Sequence, residues 1–124
     1  MPAGGAPTAV SASARFAAAA PENTVAATVV RMVSGATPAE RQEAIRQLEK
    51  YDWREDLLVA TGLVAGAKND PAQGVRIDCV RQLGARRVDH PQVVADLSAL
   101  AAGDGDPVVR DEAAKALEQI RAKP

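Results

Sequence analysis

One segment of this chain is written three times, and that limits the fold more than any other feature. Arg41-Gln42-Glu43-Ala44-Ile45-Arg46-Gln47-Leu48 returns as Arg76-Ile77-Asp78-Cys79-Val80-Arg81-Gln82-Leu83. It returns again as Arg110-Asp111-Glu112-Ala113-Ala114-Lys115-Ala116-Leu117. The shared pattern is Arg, any residue, acid, small, small or medium apolar, base in the sixth place, and Leu in the eighth. The copies are spaced 35 and then 34 residues apart. Self-similarity at such a period marks a stacked-repeat protein, in which each unit buries its apolar face against the next.

Composition agrees with helices rather than strands. Alanine is abundant, and Phe16, Tyr51 and Trp53 are the only aromatics, so the core must be built from small and aliphatic side chains at close helix separations. The formal net charge of −1 argues against a general nucleic-acid binder, whose phosphate partners need a basic surface. The single cysteine, Cys79, excludes an intramolecular disulfide and falls on a small apolar position of its repeat, which predicts a buried, inert thiol. No apolar run reaches membrane-span length, and the first residues lack a basic stretch followed by a long apolar one. The expectation is a cytoplasmic protein, with export as part of a longer precursor left open.

Residues 1–20, rich in Ala, Pro and Gly, read as a disordered or weakly ordered tail, with a short Ala-rich helix over 11–20 as the alternative. The repeat domain is expected over 21–124. Its predicted helices lie close to 22–34, 38–50, 53–67, 71–85, 91–102 and 107–121. They are read as a lead helix 22–34, pairs 38–67 and 71–102, and a terminal helix 107–121. Thr37-Pro38-Ala39-Glu40 is a complete helix start, with an N-cap, a first-turn proline and a capping-box acid. Expected inward stripes include Val25, Val29, Val30, Met32 and Val33 in the first helix. In the third they are Leu57, Leu58, Thr61, Val64 and Ala65, and in the fifth Val93, Val94, Leu97, Leu100 and Ala101.

The stretch from Asp106-Pro107-Val108-Val109-Arg110 through Ala113-Ala114 to Leu117 resembles the HEAT repeat family, in its short bacterial HEAT-like form. Asp70-Pro71, Val75-Arg76, Cys79-Val80 and Leu83-Gly84 resemble it too, with a two-residue insertion in the region of 72–74 and Cys79 in place of alanine. The first copy departs further, with Thr37 for aspartate and Glu40 for valine. The resemblance implies an all-α fold, an α-solenoid of stacked antiparallel helix pairs. It also implies a non-catalytic scaffold that binds a protein or peptide partner. Alternatives within the same resemblance are an accessory subunit or enzyme like the HEAT-like bilin lyases, nucleic-acid binding of the HEAT-like glycosylase kind, and metal-dependent hydroxylases.

Candidate sites follow from the repeat. Arg41, Arg76 and Arg110 recur in phase with the connector acids Asp70 and Asp106, as a charge-assisted ladder between adjacent units is expected to do. Tyr51 and Trp53 stand together in a turn, either shielding the edge of a pair or anchoring a partner. The small residues of the second-helix face, among them Thr61, Ala65 and Ser98, predict a smooth, shallow surface for a helix or extended peptide. His90 reads as a helix-start residue, and one His with one Cys is too few for a zinc site, so no metal or cofactor is expected. The last helix carries Asp111, Glu112, Lys115, Glu118 and Gln119, a polar cap that predicts a monomer or weak self-association.

Overall fold

The computed structural model describes residues 24–122; the expected tail over 1–20 lies outside them. Among the described residues the regular structure is helical throughout: α1 (Val25–Ser34), α2 (Pro38–Gln47), α3 (Leu58–Asn69), α4 (Gln73–Ala85), α5 (Pro91–Gly103) and α6 (Pro107–Arg121). A 3-10 turn, Leu48–Lys50, extends α2.

Helix starts obey their local chemistry. Thr24 Oγ1 accepts the Ala27 amide at 3.1 Å and Thr37 Oγ1 accepts the Glu40 amide at 3.2 Å. Glu40 Oε2 reaches back and accepts the Ala36 amide at 3.0 Å, so the back-bond of the expected capping box falls one residue before the N-cap. His90 Nδ1 accepts the Gln92 amide at 3.2 Å, and Asp106 Oδ1 accepts that of Val108 at 2.8 Å. Each satisfies an amide that the helix itself leaves without a partner.

The third helix starts later than its expected 53–67. Asp52 folds the chain into turns, its side chain accepting the Arg54 amide at 2.9 Å and its carbonyl that of Glu55 at 3.1 Å. These turns carry Trp53 into the core, so the helix begins only at Leu58, where Asp56 Oδ1 accepts the amide at 3.0 Å.

Helices joined by the short connectors 35–37, 70–72 and 104–106 pack on each other, α1 on α2, α3 on α4 and α5 on α6, and α4 packs on α6 at least as extensively as any of these pairs. Connectors this short make antiparallel neighbours. Across hairpins, α2, α4 and α6 stack in one layer and α1, α3 and α5 in a second. The expected pairs 38–67 and 71–102 instead join helices flanking the longer connectors, 48–57 and 86–90. A repeat period fixes the unit's length but not where to cut it. The short connectors decide that here. A Cβ on Gly66 would stand 2.5 Å from Cys79 Sγ of α4, so glycine is what lets α3 and α4 approach.

Between layers the core holds Met32, Ile45, Leu48, Val59, Leu63, Val75, Val80, Leu83, Leu97, Val109 and Leu117, all buried. Two expected stripes are rotated. Val30 and Val33 of α1 are exposed, and α3 buries Val59, Ala60, Gly62, Leu63, Gly66 and Ala67 rather than the stripe from Leu57 to Ala65. The reason is steric. A Cβ on Gly62 would stand 3.0 Å from Val29 Cγ1, so α3 turns its glycines inward and leaves Leu58 exposed while Leu63 is buried.

Candidate functional site

Two surfaces have the makings of a site: an arginine ladder along the short connectors and a groove between α3 and α5. The ladder is built once per repeat. Each arginine sits six residues after a connector residue whose carbonyl it holds. Arg41 Nη1 donates to Gly35 O at 2.8 Å, Arg76 Nη1 to Asp70 O at 2.9 Å, and Arg110 Nη1 to Asp104 O at 2.6 Å. Each of the first two also reaches the carboxylate of the next connector. Arg41 forks onto Asp70, Nε to Oδ2 at 2.7 Å and Nη2 to Oδ1 at 3.1 Å, with both side chains almost wholly buried. Arg76 Nε faces Asp104 Oδ2 at 3.7 Å.

The acids do a second task. Asp70 Oδ1 accepts the Ala72 amide at 2.8 Å and Asp104 Oδ1 that of Asp106 at 2.9 Å, so each carboxylate shapes its connector while receiving the arginine. The acid of the ladder is therefore Asp104. Asp106, expected in that role, is the N-cap of α6 and Ala72 is its counterpart before α4. With Asp70 matched to Asp104 and Arg76 to Arg110, both offsets are 34 and the expected insertion over 72–74 disappears. Gly35 takes the acid's place in the first copy.

Tyr51 and Trp53 belong to the scaffold rather than to an open surface. Trp53 is 7% exposed, its Nε1 donates to Arg86 O at 3.3 Å, and the Arg54 guanidinium lies 4.7 Å above the ring. An indole so covered is not an anchor presented to a partner. Tyr51 is half-buried, with Lys50 Nζ 5.4 Å from its ring centre. The Arg86 side chain returns to Leu48 O, so the two longer connectors are bonded in both directions. Burial without a carboxylate contact disfavours the charged guanidinium of Arg86 and draws its pKa below the ordinary arginine value.

The groove is where Leu57, just before α3, meets α5. Leu57, Ala60, Thr61 and Val64 form one wall and His90, Gln92, Val93 and Asp96 the other, around a volume of about 180 Å³. Leu57 in its wall is 51% exposed, and the next residue, Leu58, is 45% exposed. The charged group of the lining is Asp96 on α5, whose Oδ1 accepts Lys68 Nζ and Gln92 Nε2, each at 3.4 Å. Of the expected contact residues Thr61 lines this groove, Ala65 borders a neighbouring hollow with Val33 and Asn69, and Ser98 is exposed on α5, its Oγ donating to Val94 O at 2.8 Å. Sequence reasoning missed Leu57 and Leu58 as surface residues because it placed them in the core.

Cys79 is fully buried under Gly66, and desolvation, reinforced by the Asp70 and Asp78 charges, pushes its thiol up to about 12. Among the described residues no group of three or more His, Cys, Asp or Glu could hold a metal, and no helix is long and apolar enough to cross a membrane.

Helical hairpins stacked in two layers and tied by a recurrent arginine–aspartate rung define an α-solenoid of tandem repeats. Residues 60–124 match the family model for HEAT repeats, and the chain belongs to that family. No curated protein and no solved structure matches it. HEAT repeats are in general protein-interaction and scaffold modules.

Proposed function

We propose that the protein is a non-catalytic binding module whose partner is an amphipathic helix or extended peptide lying along the α3/α5 groove. The observation that carries this reading is the exposed Leu57 in the apolar wall of the groove. An exposed leucine in the wall of a shallow apolar cleft is a usual form of a protein contact. A groove of about 180 Å³ accepts one or two aliphatic side chains of such a segment and is below the ordinary size of a small-molecule site. Asp96 on the rim gives a basic residue of the partner an acceptor, in competition with Lys68.

Site-specific photo-cross-linking tests the reading. A photoreactive side chain at Thr61 should capture a discrete protein adduct in cells, and one at Asp111, in the other helix layer, should not. Leu57→Asp should abolish the Thr61 adduct while leaving the helical circular dichroism unchanged. Equal labelling from both positions, or an adduct indifferent to Leu57→Asp, would sink it.

A further inference from the structure

Beside the α3/α5 groove the same hollow is built twice. Between α1 and α3 it is lined by Val33, Ala65, Gly66, Asn69 and Asp70, around about 250 Å³. Between α3 and α5 it is lined by Lys68, Ala99, Leu100, Gly103 and Asp104, around about 380 Å³. The second set is the first moved on by one repeat. Val33 to Lys68 is 35 residues, the step from Gly35 to Asp70, and the other four pairs are 34 apart. Asn69 borders both hollows, and Asp96 borders both the second hollow and the groove, so the three depressions are continuous. The two hollows lie side by side across the helices. The groove lies about two turns back along α5, so the track turns a corner at Asp96.

The two copies differ in charge. In the first, the exposed Val33 forms a wall, and both carboxylate oxygens of Asp70 are taken by Arg41. In the second, Lys68 replaces the valine, and Asp96 stands at the position of Gly62. Asp104 is engaged by Arg76 and by the Asp106 amide. Asp96 is held more loosely. Its side chain is 16% exposed, yet its bonds to Lys68 Nζ and Gln92 Nε2 are both at 3.4 Å. Lys68 is 47% exposed on a flexible stem and can give up the carboxylate for water.

We infer that these hollows take an extended segment of a partner protein bearing an aliphatic residue and, about three residues on, an arginine. This rests on the α3/α5 groove being a partner's seat. The aliphatic side chain enters beside Val33, and the guanidinium replaces Lys68 on Asp96, where its planar fork can bond both carboxylate oxygens. Neighbouring helix axes stand about 8–10 Å apart, the reach of about three extended residues. A second aliphatic residue, as far again beyond the arginine, reaches the groove beside Leu57. A straight helix cannot follow the corner at Asp96, so the extended form is selected. Repeats added before α1 or after α6 would lengthen this layer without covering it. Residues 1–23 do not carry the pattern: their one basic side chain is Arg15, and the residues three away on either side are Ala12 and Ala18.

The probe is the end-blocked peptide Gly-Ser-Leu-Gly-Ser-Arg-Gly-Ser-Leu-Gly-Ser, titrated into the isotope-labelled full chain and followed by amide chemical shifts. Saturable shifts are expected at Ala65, Asn69 and Ala99. Asp96→Asn should weaken binding roughly tenfold, the scale of one charge-assisted bond. Lys68→Ala should tighten it about threefold, the scale of an exposed ion pair. Deleting the Gly-Ser between the first leucine and the arginine should weaken it as much as Asp96→Asn does. A thermal melt of each variant separates lost docking from lost folding. No saturable shift at millimolar peptide would overturn the inference, as would binding indifferent to Asp96→Asn or weakened by Lys68→Ala. Tightening by Arg15→Glu would assign the hollows to the chain's own N-terminal segment and overturn it too. The Thr61 cross-link reports separately on the groove: an adduct in cells that is indifferent to Asp96→Asn overturns the arginine seat and leaves the groove's role standing.

Discussion

Replacing the three ladder arginines by alanine, one at a time, should destabilise the fold by three different amounts. Arg41 is the extreme case. Its guanidinium makes two charge-assisted bonds to Asp70, and the side chains are 10% and 4% exposed. Arg41→Ala strands a buried carboxylate whose remaining partner is the Ala72 amide, and breaking such a pair costs about 3–5 kcal/mol. Arg76 faces Asp104 at 3.7 Å, too long for a hydrogen bond, and its Nη1 donates to Asp70 O at 2.9 Å and, more weakly, to Pro71 O at 3.4 Å, so about 1–2 kcal/mol is expected. Arg110 has its carbonyl bond alone, and its loss should cost about 1 kcal/mol or less. Urea denaturation measures the series, provided the m-value stays constant so that midpoints report stability. Three equal losses, or a loss at Arg110 as large as at Arg41, would refute the assignment of the stabilisation to the buried carboxylates. A cycle with Asp70→Asn should also show coupling between residues 41 and 70 that is absent between 110 and 70.

Gly66→Ala should destabilise by about 1–3 kcal/mol from overpacking against Cys79, outweighing the roughly 1 kcal/mol that alanine offers a helix; a raised melting temperature would contradict the packing. Cys79 has a folded pKa above its unfolded one, so its contribution is complete below about pH 8 and is lost as pH rises towards 12. Below that range the native thiol should resist alkylation, reacting only at the rate of unfolding, and fast labelling at neutral pH would refute its burial. The Arg81 hydrogen bond holds the Glu112 carboxyl below the usual carboxylate range, so its stabilisation is present above the unfolded carboxyl pKa and fades as pH falls through the folded one. Because Arg81 is exposed, the term is under about 1 kcal/mol, and Glu112→Gln should flatten the acid limb of the stability profile by no more than that. Trp53 emission should be blue-shifted and poorly quenched by acrylamide in the native state, as its burial requires; full quenching would place the ring outside.

What could be read from residues alone followed how local the physics was. Thr37, Pro38 and Glu40 announce a helix start because cap and box lie within four residues, and the structure makes both bonds, the acid's falling one residue before the N-cap. The rotation of α3 was illegible. Its sequence, LVATGLVAGAKN, has no charged residue until Lys68 and only Thr61 as a polar one, so several stripes are almost equally apolar. Only the contacts of Gly62 and Gly66 with other helices choose among them. The ladder was half legible. The arginines recur in phase, but aligning on the conspicuous Asp-Pro pairs misplaces the acid. Pro71 precedes the N-cap Ala72, whereas Pro107 follows the N-cap Asp106, so matched prolines are not matched positions. Tyr51 and Trp53 carried no local cue to their exposure. That depends on Arg86, thirty-three residues beyond Trp53.

The paired bonds between the longer connectors, Trp53 to Arg86 O and Arg86 to Leu48 O, bear on how such a chain tolerates being lengthened. Loop length ordinarily marks where sequence can be inserted without harm. Here the long segment 48–57 is threaded with core contacts, and an insertion beside Trp53 would displace a buried ring and two backbone acceptors together. The connector at 104–106 is no freer, since Asp104 is fixed by Arg76 and Arg110. Gly103 and Gly105, each with open space where a Cβ would stand, can take a side chain without touching their neighbours. Growth of this solenoid by whole repeats is therefore easier than growth of any one of its loops.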